Sequence, residues 1–159
     1  MLKKIAKRSS TTGGNFAIVA AKYNSRYTDA LVQSAEAELK SAQASRIEII
    51  RVPGSFELPV IAARLARTKK FDTIICIGAI LRGQTTHAQQ IADAVSQGLM
   101  QIQVQTGVPT VHAVLLFENE EQAEARCFGT EHNRGLEAGR VALEMAAIVR
   151  DLGNKRKRP

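Results

Sequence analysis

Residues 71–95 read FDTIICIGAILRGQTTHAQQIADAV. An apolar run from Ile74 to Leu81 stops at Arg82-Gly83-Gln84-Thr85-Thr86-His87, and a helical pattern starts at once. A continuous apolar run of this length bounded by turn residues reads as a strand buried on both faces. The stretch that follows, THAQQIADAVSQGLMQIQVQT, places Ile91, Val95, Leu99 and Ile102 along one stripe at helical spacing. A buried strand leading directly into an amphipathic helix is half of a parallel βαβ unit.

The same alternation runs through the rest of the chain. NFAIVAA (15–21) is strand-like, and RYTDALVQSAEAELKSA (26–42) repeats apolar residues at Ala30, Leu31, Ala35 and Leu39. RIEIIRV (46–52) alternates as a strand, and SFELPVIAARLART (55–68) reads as a helix whose first turn tolerates Pro59. VPTVHAVLLF (108–117) is the fourth strand, and NEEQAEARC and RGLEAGRVALEMAAIVRDL close the chain as two helices. The pattern predicts a single-domain, three-layer α/β/α fold around a mainly parallel four-stranded sheet, with right-handed crossovers. The domain spans 15–152, between a basic arm at 1–14 and a basic tail at 153–159.

Composition narrows the class. Of 159 residues, 45% are hydrophobic and 23% charged, as in globular domains. No apolar stretch approaches the ~20 residues of a membrane-spanning helix. MLKKIAKRSS lacks the apolar core and cleavage site of a secretory signal. Cys76 and Cys127 belong to no ligand-spaced cluster, so structural thiols in a reducing cytoplasm are expected. The net charge of +7 sits at the ends. Lys3, Lys4, Lys7 and Arg8 make the head +4, and Lys155, Arg156, Lys157 and Arg158 make the tail +4. No acid lies in either, which leaves residues 9–154 at −1. With 4% aromatics and no tryptophan, the chain lacks the stacking platform of a single-strand nucleic-acid binder. The ends read as solvated tails, with loose polyanion binding as the alternative.

Ligands of open parallel sheets bind beyond the carboxyl ends of the strands. Tyr23-Asn24, Gly54-Ser55-Phe56-Glu57 and Arg82–His87 follow directly on strands and should gather along one edge. Gly83, Gln84, Thr85 and Thr86 could cradle an anion at a helix start, or Thr86 could simply cap the helix. His87, in the first turn, is a candidate proton carrier near neutrality; a histidine satisfying local backbone groups is the plainer reading. Glu57 could accept from ligand hydroxyls or stabilise its helix terminus. Tyr23 could stack on a flat ring or pack against a loop. Arg126 is by default a solvated helix charge whose planar fork would suit phosphate.

Together, VPGSFELP, GAILRGQTTH, GVPTVHAVLL and ENEEQAEARC, in this order and at these intervals, resemble the 6,7-dimethyl-8-ribityllumazine synthase family. The resemblance covers about 15–152 and implies a flavodoxin-like fold. It implies condensation of 5-amino-6-(D-ribitylamino)uracil with 3,4-dihydroxy-2-butanone 4-phosphate, the penultimate step of riboflavin synthesis. By the same resemblance, Tyr23 stacks on the pyrimidine, and Ser55, Phe56 and Glu57 hold the ribityl chain and ring edge. Ala79, Ile80 and Leu81 offer backbone groups to the pyrimidine. Gln84 and Thr85, within the Gly83–Thr86 loop, bind phosphate, and His87 carries protons. His112 and Arg126 come from an adjacent subunit, the first closing over the ring and the second clamping phosphate. Relatives often have phenylalanine at His112 and lysine at Arg134. No metal or cofactor is implied. The implied partners are the two substrates, riboflavin synthase as the next enzyme, and further copies of the chain as pentamers or 60-subunit icosahedral shells of them. CFGTEHNRG carries no long insertion of the kind associated with free pentamers.

Two rivals use the same residues differently. One is a non-catalytic phosphate- or nucleotide-binding module of the same fold, which needs no combination of His87, Glu57 and Arg126. The other is a structural or polyanion-binding protein that works through its basic ends.

Overall fold

The computed structural model describes residues 12–155. Lys3, Lys4, Lys7, Arg8, Arg156, Lys157 and Arg158, on which the reading of the tails rests, lie outside them. Four strands, β1 (Asn15–Ala21), β2 (Arg46–Val52), β3 (Thr73–Leu81) and β4 (Thr110–Phe117), form one sheet in the order β2-β1-β3-β4. Every pairing is parallel. The helices are α1 (Ser25–Ser41), α2 (Leu58–Thr68), α3 (His87–Thr106), α4 (Glu120–Cys127) and α5 (Arg134–Lys155). The sheet order is the doubly wound one, in which the chain reverses direction between β1 and β3.

Each face of the sheet carries its own core, and β3 shows why its sequence is continuously apolar. Ile75, Ile77 and Ala79 point into the layer built with Tyr27, Leu31, Ala35 and Leu39 of α1 and Ala138, Ala142 and Leu143 of α5. Ile74, Cys76 and Ile80 point into the opposite layer, with Leu58, Ala62 and Ala66 of α2 and Val95, Leu99 and Ile102 of α3. The period of two is intact, but both faces are buried, so after Thr73, whose hydroxyl donates to the Ala142 carbonyl, the strand is apolar to Leu81. Edge strand β2 is partly exposed along most of its length and keeps the alternation RIEIIRV.

Two element starts differ from the sequence pattern, and proline explains both. The helix expected over 55–68 is a 3-10 turn at Ser55–Glu57 followed by α2, with Pro59 in its first turn. Lacking an N–H, Pro59 is compatible with the start of an α-helix but not with its interior. The strand expected from Val108 begins at Thr110. Pro109 has no N–H for the ladder; its carbonyl still accepts from the Ile74 N–H at 2.9 Å. α5 runs past Leu152 to Lys155.

Burial of α3 on the sheet rests heavily on Leu99, which is 1% exposed. Leu99→Ala is expected to lower unfolding free energy by about 2–5 kcal/mol. Urea unfolding at fixed protomer concentration checks this, and a loss below about 1 kcal/mol would show that α3 docks by other contacts.

Candidate active site

The carboxyl ends of β1, β2 and β3 meet at the reversal point, and a cavity of about 540 Å³ opens there. Tyr23, Gly54, Ser55, Phe56, Glu57 and His87 line it, together with Gln90, Ile91 and Ala94 of α3. Three segments far apart in sequence therefore converge, as the strand-end rule requires. Tyr23 and Phe56 stand open, at 68% and 61% exposure, so two aromatic surfaces face the cavity without a core to fill. Both suit a flat ring better than a packing role.

Glycines let this wall close up. A Cβ on Gly54 would lie 2.8 Å from Tyr23 Cδ2, so the tyrosine reaches its place only because Gly54 has none. Gly78, in the middle of β3, is more restrictive: a Cβ there would lie 2.3 Å from Ser55 Oγ. The 3-10 turn thus rests directly on the strand backbone, which sets the height of Ser55, Phe56 and Glu57 above the sheet. Glu57 is partly committed, because its Oε2 accepts from the Gly54 N–H at 2.9 Å. That bond holds the turn and fixes the carboxylate. Its other oxygen has no such backbone duty, so terminus stabilisation and ligand binding are compatible in one side chain.

Tyr23 is carried by a tight exit from β1. The Tyr23 N–H donates to the Pro53 carbonyl at 3.1 Å. Asn24 takes the left-handed conformation (φ 55°, ψ 44°), and its Nδ2 donates to the Ala79 carbonyl at 2.7 Å. Asparagine tolerates this backbone, and its amide ties the β1 exit to the end of β3. The Ala79 carbonyl already has this partner. Ala79 and Ile80 are buried in the last turns of the strand and Leu81 is half-buried. Sequence reasoning missed Asn24 as a positioning residue, although an Asn placed just after a strand was a signal for an αL turn.

After Leu81, Arg82 is held by Glu118 (Nε to Oε2, 2.7 Å) and by Gln89 Oε1 at 2.9 Å. These contacts anchor the base of the loop, and Gly83, Gln84, Thr85, Thr86 and His87 all stand exposed. Thr86 precedes α3 without making a side-chain cap. The hydroxyl of Thr85 instead accepts weakly from the His87 N–H, at 3.4 Å. Capping is therefore not what both threonines do, and the first-turn N–H groups of a 20-residue helix remain directed at the loop.

His112 and Arg126 are elsewhere. They line a second cavity, of about 710 Å³, along the outer edge of β4, which pairs with no further strand among the described residues, with Gln103, Gln122, Arg134 and Glu137 among its walls. Among the described residues, none borders both cavities. Arg134 is paired with Glu137, while Arg126 makes no ion pair among the described residues. Arg126 is placed by α4, which Arg26 pins to α1 through Glu124 at 2.7 Å, with its guanidinium over the Tyr27 and Phe128 rings at 5.4 Å. The hydrogen bond to Glu124 raises the Arg26 pKa further. The two thiols are inert: burial pushes Cys76 up to about 12 and Cys127 up to about 11, so neither is a nucleophile near neutrality. Among the described residues, no three His, Cys, Asp or Glu side chains group as a metal site, and no helix is long and apolar enough to cross a membrane.

Comparison with known proteins fits this geometry. A model of the 6,7-dimethyl-8-ribityllumazine synthase family matches residues 13–150. The chain belongs to the 6,7-dimethyl-8-ribityllumazine synthase family. A 6,7-dimethyl-8-ribityllumazine synthase of Stenotrophomonas maltophilia is 42% identical over 139 residues, 86% of this chain and 90% of that protein. One of Xanthomonas euvesicatoria pv. vesicatoria is 41% identical over 140 residues, 87% and 91% of the two chains. The family match spans both cavities, the one at the β1/β3 reversal and the one at the β4 edge.

The Gly78–Ser55 contact gives a direct check. Gly78→Ala is expected to lift the 3-10 turn and cost about 1–3 kcal/mol of unfolding free energy. Ser55→Gly in the same chain should recover most of that loss; failure of the pair to recover it would show that the clash is relieved elsewhere.

Proposed function

We propose that this chain condenses 5-amino-6-(D-ribitylamino)uracil with 3,4-dihydroxy-2-butanone 4-phosphate to 6,7-dimethyl-8-ribityllumazine, in a site completed by a second copy of itself. The observation that carries this reading is the division of the expected residues between two disjoint cavities of one chain. Tyr23, Ser55, Phe56, Glu57 and His87 surround one, and His112 and Arg126 share the other. Stacking two copies so that one cavity faces the other unites an aromatic clamp, a carboxylate, an imidazole and a guanidinium.

In the united site, Tyr23 stacks on the pyrimidine and the neighbour's His112 closes the site against it. Glu57 and Ser55 take the ribityl hydroxyls, with backbone groups at Ala79, Ile80 and Leu81 along the ring edge. Gly83, Gln84, Thr85 and Thr86 receive the phosphate at the α3 N-terminus, and Arg126 of the neighbour closes over it. The pyrimidine amine attacks the ketone, and water leaves as the imine forms. His87 takes the proton that enolisation releases, and the C–O bond to phosphate breaks into the cradle. The second amine then closes the ring, with loss of water. Juxtaposition supplies much of the rate, since effective molarities reach roughly 10⁵–10⁸ M. General acid–base help of the kind His87 gives adds about 10²- to 10⁴-fold.

A repeating contact between two different surfaces is heterologous, and it closes as a ring when the rotation between copies divides a full turn. We assign that ring five copies, as the family resemblance implies, with riboflavin synthase as the consumer of the product and the cytoplasm as its compartment. Apolar side chains that stand open on α3, Met100 at 57% and Val104 at 76% exposure, suit burial against a neighbour. The two buried, unpaired cysteines suit a reducing compartment. Light scattering distinguishes a ring from a 60-subunit shell.

Mixing the purified chain with both substrates and following lumazine fluorescence tests the reaction; no product from folded protein would overturn it. His87→Ala should slow turnover by about 10²-fold or more without abolishing it, leaving the contribution of positioning. Arg126→Ala should raise KM for the phosphorylated ketone about tenfold or more and leave that for the pyrimidine nearly unchanged. Mixing the impaired His87→Ala and Arg126→Ala oligomers after dissociation should regenerate some wild-type sites if the residues come from different copies.

A further inference from the structure

The His112 ring is not a free surface group. Its Nε2 lies 2.7 Å from Ser96 Oγ, which ties the edge strand β4 to α3. The same Oγ lies 2.7 Å from the Ala92 carbonyl one turn back in α3. A serine hydroxyl has one proton, and in a helix it commonly goes to the carbonyl four residues earlier. With that proton on Ala92, Ser96 Oγ meets His112 as an acceptor, so Nε2 must bring the hydrogen. A neutral imidazole protonated at Nε2 carries its lone pair on Nδ1.

Most other polar side chains around this cavity are donors or are already engaged. Arg126 and Arg134 donate only. Glu137 is paired with Arg134, Gln122 Oε1 accepts from the Glu118 N–H at 3.1 Å, and Gln103 Oε1 accepts from the Thr110 N–H at 3.3 Å. Thr110 Oγ1 is 4% exposed as a residue and donates to the Val108 carbonyl at 3.3 Å. An acceptor on His112 therefore stands in a wall that also carries two guanidiniums, Arg126 and Arg134.

We propose that Ser96 is a positioning residue that holds His112 as the Nε2–H tautomer, so that Nδ1 accepts a hydrogen bond from an N–H of the pyrimidine in the neighbouring copy's half-site. This rests on the shared-site reading above. It makes His112 a polar selector that meets the pyrimidine edge-on rather than a face-to-face stacking surface: a ring with an N–H donor at that edge is retained, and one presenting only acceptors leaves the Nδ1 lone pair unmatched.

Two readouts test it in the full-length oligomer. The chain has three histidines, so ¹⁵N imidazole spectra of the wild type and His112→Phe identify the His112 signals by difference. The expected result is the Nε2–H tautomer in the wild type and a loss of that bias in Ser96→Ala. In steady state, Ser96→Ala should raise KM for the pyrimidine about threefold to tenfold, the scale of one neutral hydrogen bond, and leave that for the ketone phosphate unchanged. Ser96→Thr, which keeps the hydroxyl, should restore it. In the His112→Phe background, Ser96→Ala should add nothing. An Nδ1–H tautomer in the wild type, or a Ser96→Ala effect that persists undiminished with phenylalanine at 112, would overturn the proposal. Absence of lumazine formation by the wild type would instead sink the catalytic reading, and the tautomer would still decide the role of Ser96.

Discussion

β3 has neither a free edge nor a free face, and most of the structure depends on that. It pairs in parallel with β1 on one side and β4 on the other, and each layer of helices packs on one of its two sets of alternating side chains. Slipping it by one residue would exchange the two sets, and the small ones, Gly78 among them, would no longer meet the elements that need the space. Fixing β3 fixes where it ends. The loop from Arg82 to Thr86 and the first turn of α3 must then emerge beside the exit of β1, where the chain reverses.

The functional cavity is a consequence of this rigidity, built from parts that are individually unremarkable. Gly78 admits Ser55 against the strand, Gly54 admits Tyr23, and Asn24 clips the β1 exit to the Ala79 carbonyl. None of these residues needs to touch a ligand to matter, since they set the heights and angles of Tyr23, Phe56 and Glu57. His87 is held only from below, by the helix it begins, and stays open to the cavity. Rigid support beneath exposed side chains is what the proposed reaction, governed by juxtaposition, would require.

The β4 edge illustrates the opposite arrangement. An unpaired parallel edge is a liability unless something covers it. Here it carries a large cavity, an arginine without an ion-pair partner among the described residues, and a histidine tethered through Ser96. One chain therefore presents two unfinished surfaces of complementary chemistry. In the proposed assembly, shape and chemistry become a single problem, because burying the edge would also bring donor groups to the cavity of the next copy.

Much of this was legible in the sequence. The continuous apolar run of 74–81 dictated a doubly buried strand, and the helical stripe of Ile91, Val95, Leu99 and Ile102 dictated its covering helix. The strand-end rule brought Tyr23, Glu57 and His87 together before any coordinates, because chain direction alone places those residues at one end of a parallel sheet. Other contributions depend on side chains meeting across elements, which periodicity does not encode. The 2.3 Å limit at Gly78, the Asn24 bond to Ala79, the lining by Gln90 and Ala94, and the Ser96–His112 pair belong to this class. Local pattern fixes which face a residue occupies; only packing decides which partner it finds there, because that partner lies tens of residues away and a shift of an ångström changes the answer.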